Sequence, residues 1–253
     1  MAKRAKKKTQ KEEVENKKES VEVKSEKITK FPNLKKLFFK PSEFLNSVEK
    51  ESKYESILRS YIIISLVYYI FSQIYSTIFN GFSAVNSLYA LFNTVVFAIA
   101  FPFVISGIIH LAVIVFKGKE KFFNTFKPVT YALMISMIYQ FIMLIIVVII
   151  QFTSPFSVEM LNSISNSQDQ AAISQAYSDF FAQPGAVTML VSSVCLFFIM
   201  IIHMAVFIVK GLKKFQKLSR TRAILAVITP WIIAFFVFIL LIMALSFSAG
   251  IAG

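Results

Sequence analysis

An all-α bundle of five membrane-spanning helices is the fold class this sequence predicts, and three observations predict it. The first is composition: 56% of the 253 residues are hydrophobic and 16% are charged, against roughly 45–50% and about 25% in soluble domains. The second is a set of long charge-free runs. Ser60 to Phe116, Pro128 to Val158, Phe180 to Val209 and Ala223 to Gly253 contain no Asp, Glu, Lys or Arg. A helix crosses the hydrocarbon core with about 20 apolar residues, so the first run accommodates two crossings and each of the others one. The third is where the positive charge falls. All 27 Lys and Arg lie in residues 1–59, 117–127 and 210–222, and the segments between the other spans carry none.

The elements follow in order. Residues 1–30 hold 11 basic and 6 acidic side chains and almost no large apolar ones. Such a segment buries too little apolar surface to offset the entropy of ordering, so it is read as a disordered basic arm. The opening Met1 to Lys8 runs into no apolar stretch and predicts no secretory signal. Insertion therefore falls to the first span. In residues 31–59, Pro41 suits the first turn of a helix, and Phe44, Leu45 and Val48 follow at helical spacing. That pattern reads either as a juxtamembrane amphipathic helix lying on the interface or as a helix packed on the neighbouring loops. Residues 60–253 form the membrane domain, with spans near Tyr61–Phe79, Leu88–Phe116, Val129–Phe152, Ala186–Val209 and Ala223–Phe247 and a bend at Pro102. Within the outer loop 153–185, Ile173, Ala176, Tyr177 and Phe180 fall on one face and predict a short helix from Ala171 to Phe181. Cys195, the single cysteine, reads as a small apolar residue.

Lys and Arg concentrate in the loops that stay inside the cell. Applied here, the rule places the N-terminus and both basic loops in the cytoplasm and the C-terminus across the cell membrane. An odd number of spans requires that same outcome. The net charge of +13 is thereby accounted for without nucleic acid, and the partners expected are the bilayer and anionic lipid at the cytoplasmic face, with a protein partner or a second copy also open.

One segment recurs. Residues 108–118, Ile-Ile-His-Leu-Ala-Val-Ile-Val-Phe-Lys-Gly, match residues 201–211, Ile-Ile-His-Met-Ala-Val-Phe-Ile-Val-Lys-Gly, at seven of eleven positions. Both end spans running toward the basic side, so spans two–three and four–five read as a parallel repeat of helical hairpins. Gly118 and Gly211 are expected to take the left-handed position that ends a helix. His110 and His203, the only histidines, are expected at equal depth, turned inward, either satisfied by neighbouring helices or flooring a cavity.

Several motifs together resemble the Yip1-domain family as found in archaea and bacteria. They are Leu37-Phe-Phe-Lys-Pro-Ser-Glu-Phe-Leu45, the turn from His110 into Lys117-Gly118, Phe122-Phe123-Asn-Thr-Phe126, Tyr131-Ala132, and Arg222-Ala223-Ile224 through Pro230. The resemblance implies a five-helix membrane domain with a cytoplasmic N-terminus and no known catalytic activity. Eukaryotic members act in vesicle traffic, contact small GTPases and carry an Asp-Leu-Tyr-Gly-Pro-like motif before the membrane domain. This chain lacks that motif, so GTPase binding is not carried over.

No charged residue lies inside a span, which disfavours an ion-coupled pump. No phosphate-binding loop, metal-ligand spacing or nucleophile elbow occurs, so neither an enzyme nor a cofactor is predicted. Gln140 and Asn93 read as intramembrane hydrogen-bonding groups. Residues set aside as candidate cavity or lipid contacts are His110, His203, Gln140, Lys117, Lys210, Lys213, Lys214, Arg220 and Arg222. The function expected is a non-enzymatic scaffold that organises membrane. The alternative is a small-solute or lipid permease with its pathway at the repeat interface.

Overall fold

The computed structural model describes residues 31–154 and 170–251. The arm at 1–30 and the first half of the outer loop lie outside them. Every regular element among the described residues is helical: α1 (Leu34–Phe39), α2 (Pro41–Ser47), α3 (Tyr54–Asn80), α4 (Ala84–Val115), α5 (Phe123–Thr153), α6 (Gln170–Phe181), α7 (Pro184–Phe215) and α8 (Arg220–Ile251). Five of them, α3, α4, α5, α7 and α8, are long and apolar enough to cross a membrane. Their outward surfaces are apolar: Phe197, Phe198, Ile202, Phe235 and Phe236 are all more than half exposed. Such a surface suits lipid rather than water. Cys195 lies on this exposed side too.

The centre of the bundle is the first half of α5. Residues Thr125 to Ser136 are buried without interruption, which a helix shows only when neighbours surround it. α5 packs most extensively on α7, and also meets α3, α4 and α1, while α8 lies against α4 and α7.

The juxtamembrane segment departs from the single interfacial helix. Pro41 has no N–H to continue a helix and crowds the residue before it. Lys40 accordingly sits at φ −131°, ψ 62°, outside the helical region, and the segment breaks into α1 and α2. Asn33 caps α1, its side chain accepting from the Lys36 N–H at 3.0 Å. Of the apolar residues in the two helices, Phe39 alone is largely exposed, at 73%. Leu37, Phe44 and Leu45 are at most 2% exposed and join the main core; burial of each is worth about 1.5–3 kcal/mol. The Phe44 ring stands edge-on to Tyr131 at 4.8 Å. α3 also starts at Tyr54, two turns before the expected span, because Ile57 finds a fully buried place in the same core.

Two expectations about glycine are corrected. The left-handed residue after α4 is Lys117, at φ 65°. It donates its N–H to Ile114 at 2.9 Å, while the Gly118 N–H reaches Val113 at 2.8 Å, the paired bonds that close a helix C-terminus. Gly118 is required instead for close approach, since a Cβ there would fall 2.3 Å from Val113 Cγ1. Gly211 ends nothing: α7 continues through it to Phe215, and a Cβ would fall 2.2 Å from Pro128 Cβ of α5.

The outer-loop helix forms as α6, on the expected residues. Phe180 is buried against Ile150 and Ala186, at the ends of α5 and α7 distant from the basic loops. Tyr177 is left 46% exposed while Ile173 and Ala176 are half-buried, so the apolar face is covered in part.

Candidate functional site

The basic end of the bundle is built in two layers, an internal clamp and an outer groove. The clamp begins with Lys127, which is 1% exposed. Its ammonium donates to the carbonyls of Val48 at 3.1 Å and Glu49 at 3.2 Å and sits 4.7 Å from the Phe215 ring centre. A buried charge persists only with such partners. Tyr131 donates its hydroxyl to the Glu51 carboxylate at 2.5 Å, and Ser56 bonds the same carboxylate. Lys214 pairs with Glu49 at 2.9 Å and donates to Asn46 Oδ1 at 2.6 Å. Residues 45–51 are thus tied to α5 and α7 together.

A second network joins the loop after α4 to the end of α7. Gln216, 1% exposed, donates to the Lys121 carbonyl at 3.1 Å and the Thr125 hydroxyl at 2.9 Å, and accepts from the Glu120 N–H at 3.1 Å. The same Thr125 hydroxyl shares a hydrogen bond with His110 Nδ1, 2.9 Å away. Outside the network, Glu120 pairs with Lys217 at 2.6 Å.

These ion pairs hold the carboxyls of Glu49 and Glu120 below their ordinary value of 4.5, chiefly through the hydrogen bonds from Lys214 and Lys217. The same bond raises Lys217 above 10.5. A lowered carboxyl contributes stability in full above its unfolded value and loses it as pH falls through the folded value, and a raised lysine does the reverse at high pH. Amide exchange of residues 45–53, corrected for intrinsic rates, should therefore be flat from about pH 9 to about pH 5 and rise below about pH 4. Unchanged protection at pH 3 would show that the Glu49–Lys214 pair fastens nothing.

The outer groove lies between α7 and α8, with a volume of about 430 Å³. Lys210, Lys213 and Arg220 line it, over a wall that includes Val206, Val209, Ile224 and Val227. Four acids at this end are taken elsewhere, Glu43 by Lys36 and Lys40, Glu49 by Lys214, Glu120 by Lys217, and Glu51 by Tyr131 and Ser56. Among the described residues Lys210, Lys213 and Arg220 have no acidic partner.

The remaining candidates separate. Lys117 and Arg222 are exposed and outside the groove. Gln140 lines a different cavity, of about 360 Å³, between α3, α4 and α5, together with Tyr68, Asn93 and Ser136. His203 is 3.2 Å from the Tyr139 hydroxyl, with the Phe38 ring edge-on at 4.8 Å. His110 thus meets α5 at Thr125 and His203 meets it at Tyr139, about 21 Å further along that helix. The single layer expected from the repeat is not what forms, because α7 runs two turns past the point matching the end of α4. Each ring is half-buried and locally partnered, and neither lines either of these cavities. Lys127 and Gln216 are not singled out by the sequence, and Thr125 and Tyr131 enter it only as parts of the family-like motifs. The available signal was a lysine at the head of a run, Phe126 to Ile135, in which every other side chain is apolar or uncharged.

These features define an integral, multi-pass, all-α membrane protein whose cations gather at one end. The Yip1 domain model matches residues 35–241, most of the chain, and the protein belongs to the Yip1-domain family, a membrane-protein family not known for enzymes. No curated protein and no solved structure matches it.

Proposed function

We propose that the protein is a non-enzymatic organiser of membrane, of Yip1 type, whose basic end faces the cytoplasm and gathers anionic lipid. The observation that carries this is the division of charge at that end. Glu43, Glu49 and Glu120 are paired with Lys36, Lys40, Lys214 and Lys217 and Glu51 is held by Tyr131 and Ser56, while Lys210, Lys213 and Arg220 remain without an acidic partner beside an apolar groove. Each basic side chain near an anionic surface contributes about 1 kcal/mol of attraction. The clamp on residues 45–51 supports a scaffold, because it makes the juxtamembrane segment a rigid part of the bundle. Duplication of a helical hairpin is part of the proposal. Exchanging α4 with α7 and α5 with α8 carries the α5–α7 contact onto the α8–α4 contact, and both contacts occur.

Energy transfer from the labelled protein to trace fluorescent lipid in mixed vesicles tests the reading. Anionic lipid should be enriched around the protein over zwitterionic lipid, and salt should reduce the enrichment. Equal signals from the two lipids would sink it. The cavity lined by Gln140 and Asn93 favours a second reading, permeation of a small polar solute, on a path beside α3 rather than between the hairpins. Protein-dependent release of a trapped polyol from the same vesicles would support that alternative.

A further inference from the structure

We infer that the groove between α7 and α8 is a binding site for one anionic phospholipid, its phosphate held by Lys210, Lys213 and Arg220 and one acyl chain lying along the apolar wall. The inference rests on the reading that the basic end faces an anionic leaflet, and it goes further by assigning a discrete site.

Lys210 and Lys213 are three residues apart on α7 and share a face. Lys214 is turned about 100° from Lys213, toward Glu49, so the clamp takes one lysine and leaves its neighbours. Arg220 is the first residue of α8, and the short turn at 216–219 returns it to the α7 lysines. An arginine presents a planar fork of donors that matches two phosphate oxygens, and the lysines add point charge. The dipole at the start of α8 has the same sign.

The wall decides the rest of the ligand. Ile224, Val227 and Ile228 line the groove, and Trp231 continues their stripe at the i, i+3, i+4, i+7 spacing of one helix face. Trp231 is 66% exposed and about 16 Å along α8 from Arg220. A free phosphate has no use for this apolar track, and a wholly apolar ligand has none for three unpaired cations. A phospholipid with an anionic headgroup satisfies both.

Trp231 is the only tryptophan and reports on the track directly. The full chain would be reconstituted in phosphatidylcholine vesicles containing phosphatidylglycerol, with bromine carried on the acyl chains of one lipid or the other. At equal lipid fraction, brominated phosphatidylglycerol should quench Trp231 as though preferred by about fivefold or more, the effect of engaging even one cation. The combined variant Lys210→Gln, Lys213→Gln, Arg220→Gln should abolish the preference. Lys35→Gln, Lys50→Gln, Lys119→Gln, which removes the same charge from exposed positions outside the groove, should retain it. Equal losses in the two variants would overturn the site while leaving general attraction of anionic lipid standing. No preference in the unmodified chain would overturn the site, and absence of anionic enrichment in the energy-transfer measurement would also remove the reading beneath it. Displacement by inorganic phosphate beyond that caused by sodium chloride at matched ionic strength would show that the site takes free phosphate, and would overturn the lipid assignment.

Discussion

Lys127→Met should destabilise the bundle by about 1–3 kcal/mol, the range for leaving a buried acceptor without its donor. Methionine keeps most of the length of lysine, so the loss falls on charge and hydrogen bonding rather than on packing. The Glu49 carbonyl loses the Lys127 donor, the Val48 carbonyl keeps only the Glu51 N–H at 3.1 Å, and Glu51 loses a neighbouring positive charge. The Tyr131 bond to Glu51 is then the main remaining tie at that point. Thermal unfolding in detergent should show the loss, and limited proteolysis should show earlier cleavage within residues 40–53. A change below about 1 kcal/mol with unchanged cleavage would mean that the buried ammonium holds nothing together.

The second large effect belongs to Gly211. An alanine there places its Cβ 2.2 Å from Pro128 Cβ, and the proline ring, fused to the α5 backbone, cannot rotate away. The α5–α7 contact must open, at a cost of about 1–3 kcal/mol for alanine, and Gly211→Leu should prevent stable folding. Gly107 in α4 is the matched control. Nothing lies within 4 Å of a Cβ there, so Gly107→Ala should gain about 0.5–1 kcal/mol from reduced backbone entropy. Unfolding midpoints that moved the same way for both alanine variants would contradict the close packing of α5 on α7.

The spans were legible in the sequence because hydrocarbon imposes one simple requirement, a run of apolar residues of sufficient length. The short helix α6 was legible from spacing alone. The route of the juxtamembrane segment was not. Phe44 and Leu45 show the same periodicity whether they face lipid or protein, and only Tyr131 and Phe207 on distant helices decide the matter. The glycines misled for a related reason, since Lys-Gly after an apolar run suits a helix end, whereas the need for Gly211 comes from a proline 83 positions earlier in the chain. For the outer groove, the basic loop 210–222 supplies the cations, and the turn between α7 and α8 brings three of them to one groove. Lys127 looks in sequence like any lysine of segment 117–127, because its partners, Val48 and Glu49, are remote in the chain.

The account rests most heavily on five crossings with the basic end in the cytoplasm, and topology reporters measure that directly. A reporter active only outside the cytoplasm, fused after Gly253, should be active, and fusions at Lys121 and Lys214 should be silent with it and active with a cytoplasmic reporter. A cytoplasmic signal from the Gly253 fusion would contradict the odd number of spans and, with it, the placement of the groove against an anionic inner leaflet.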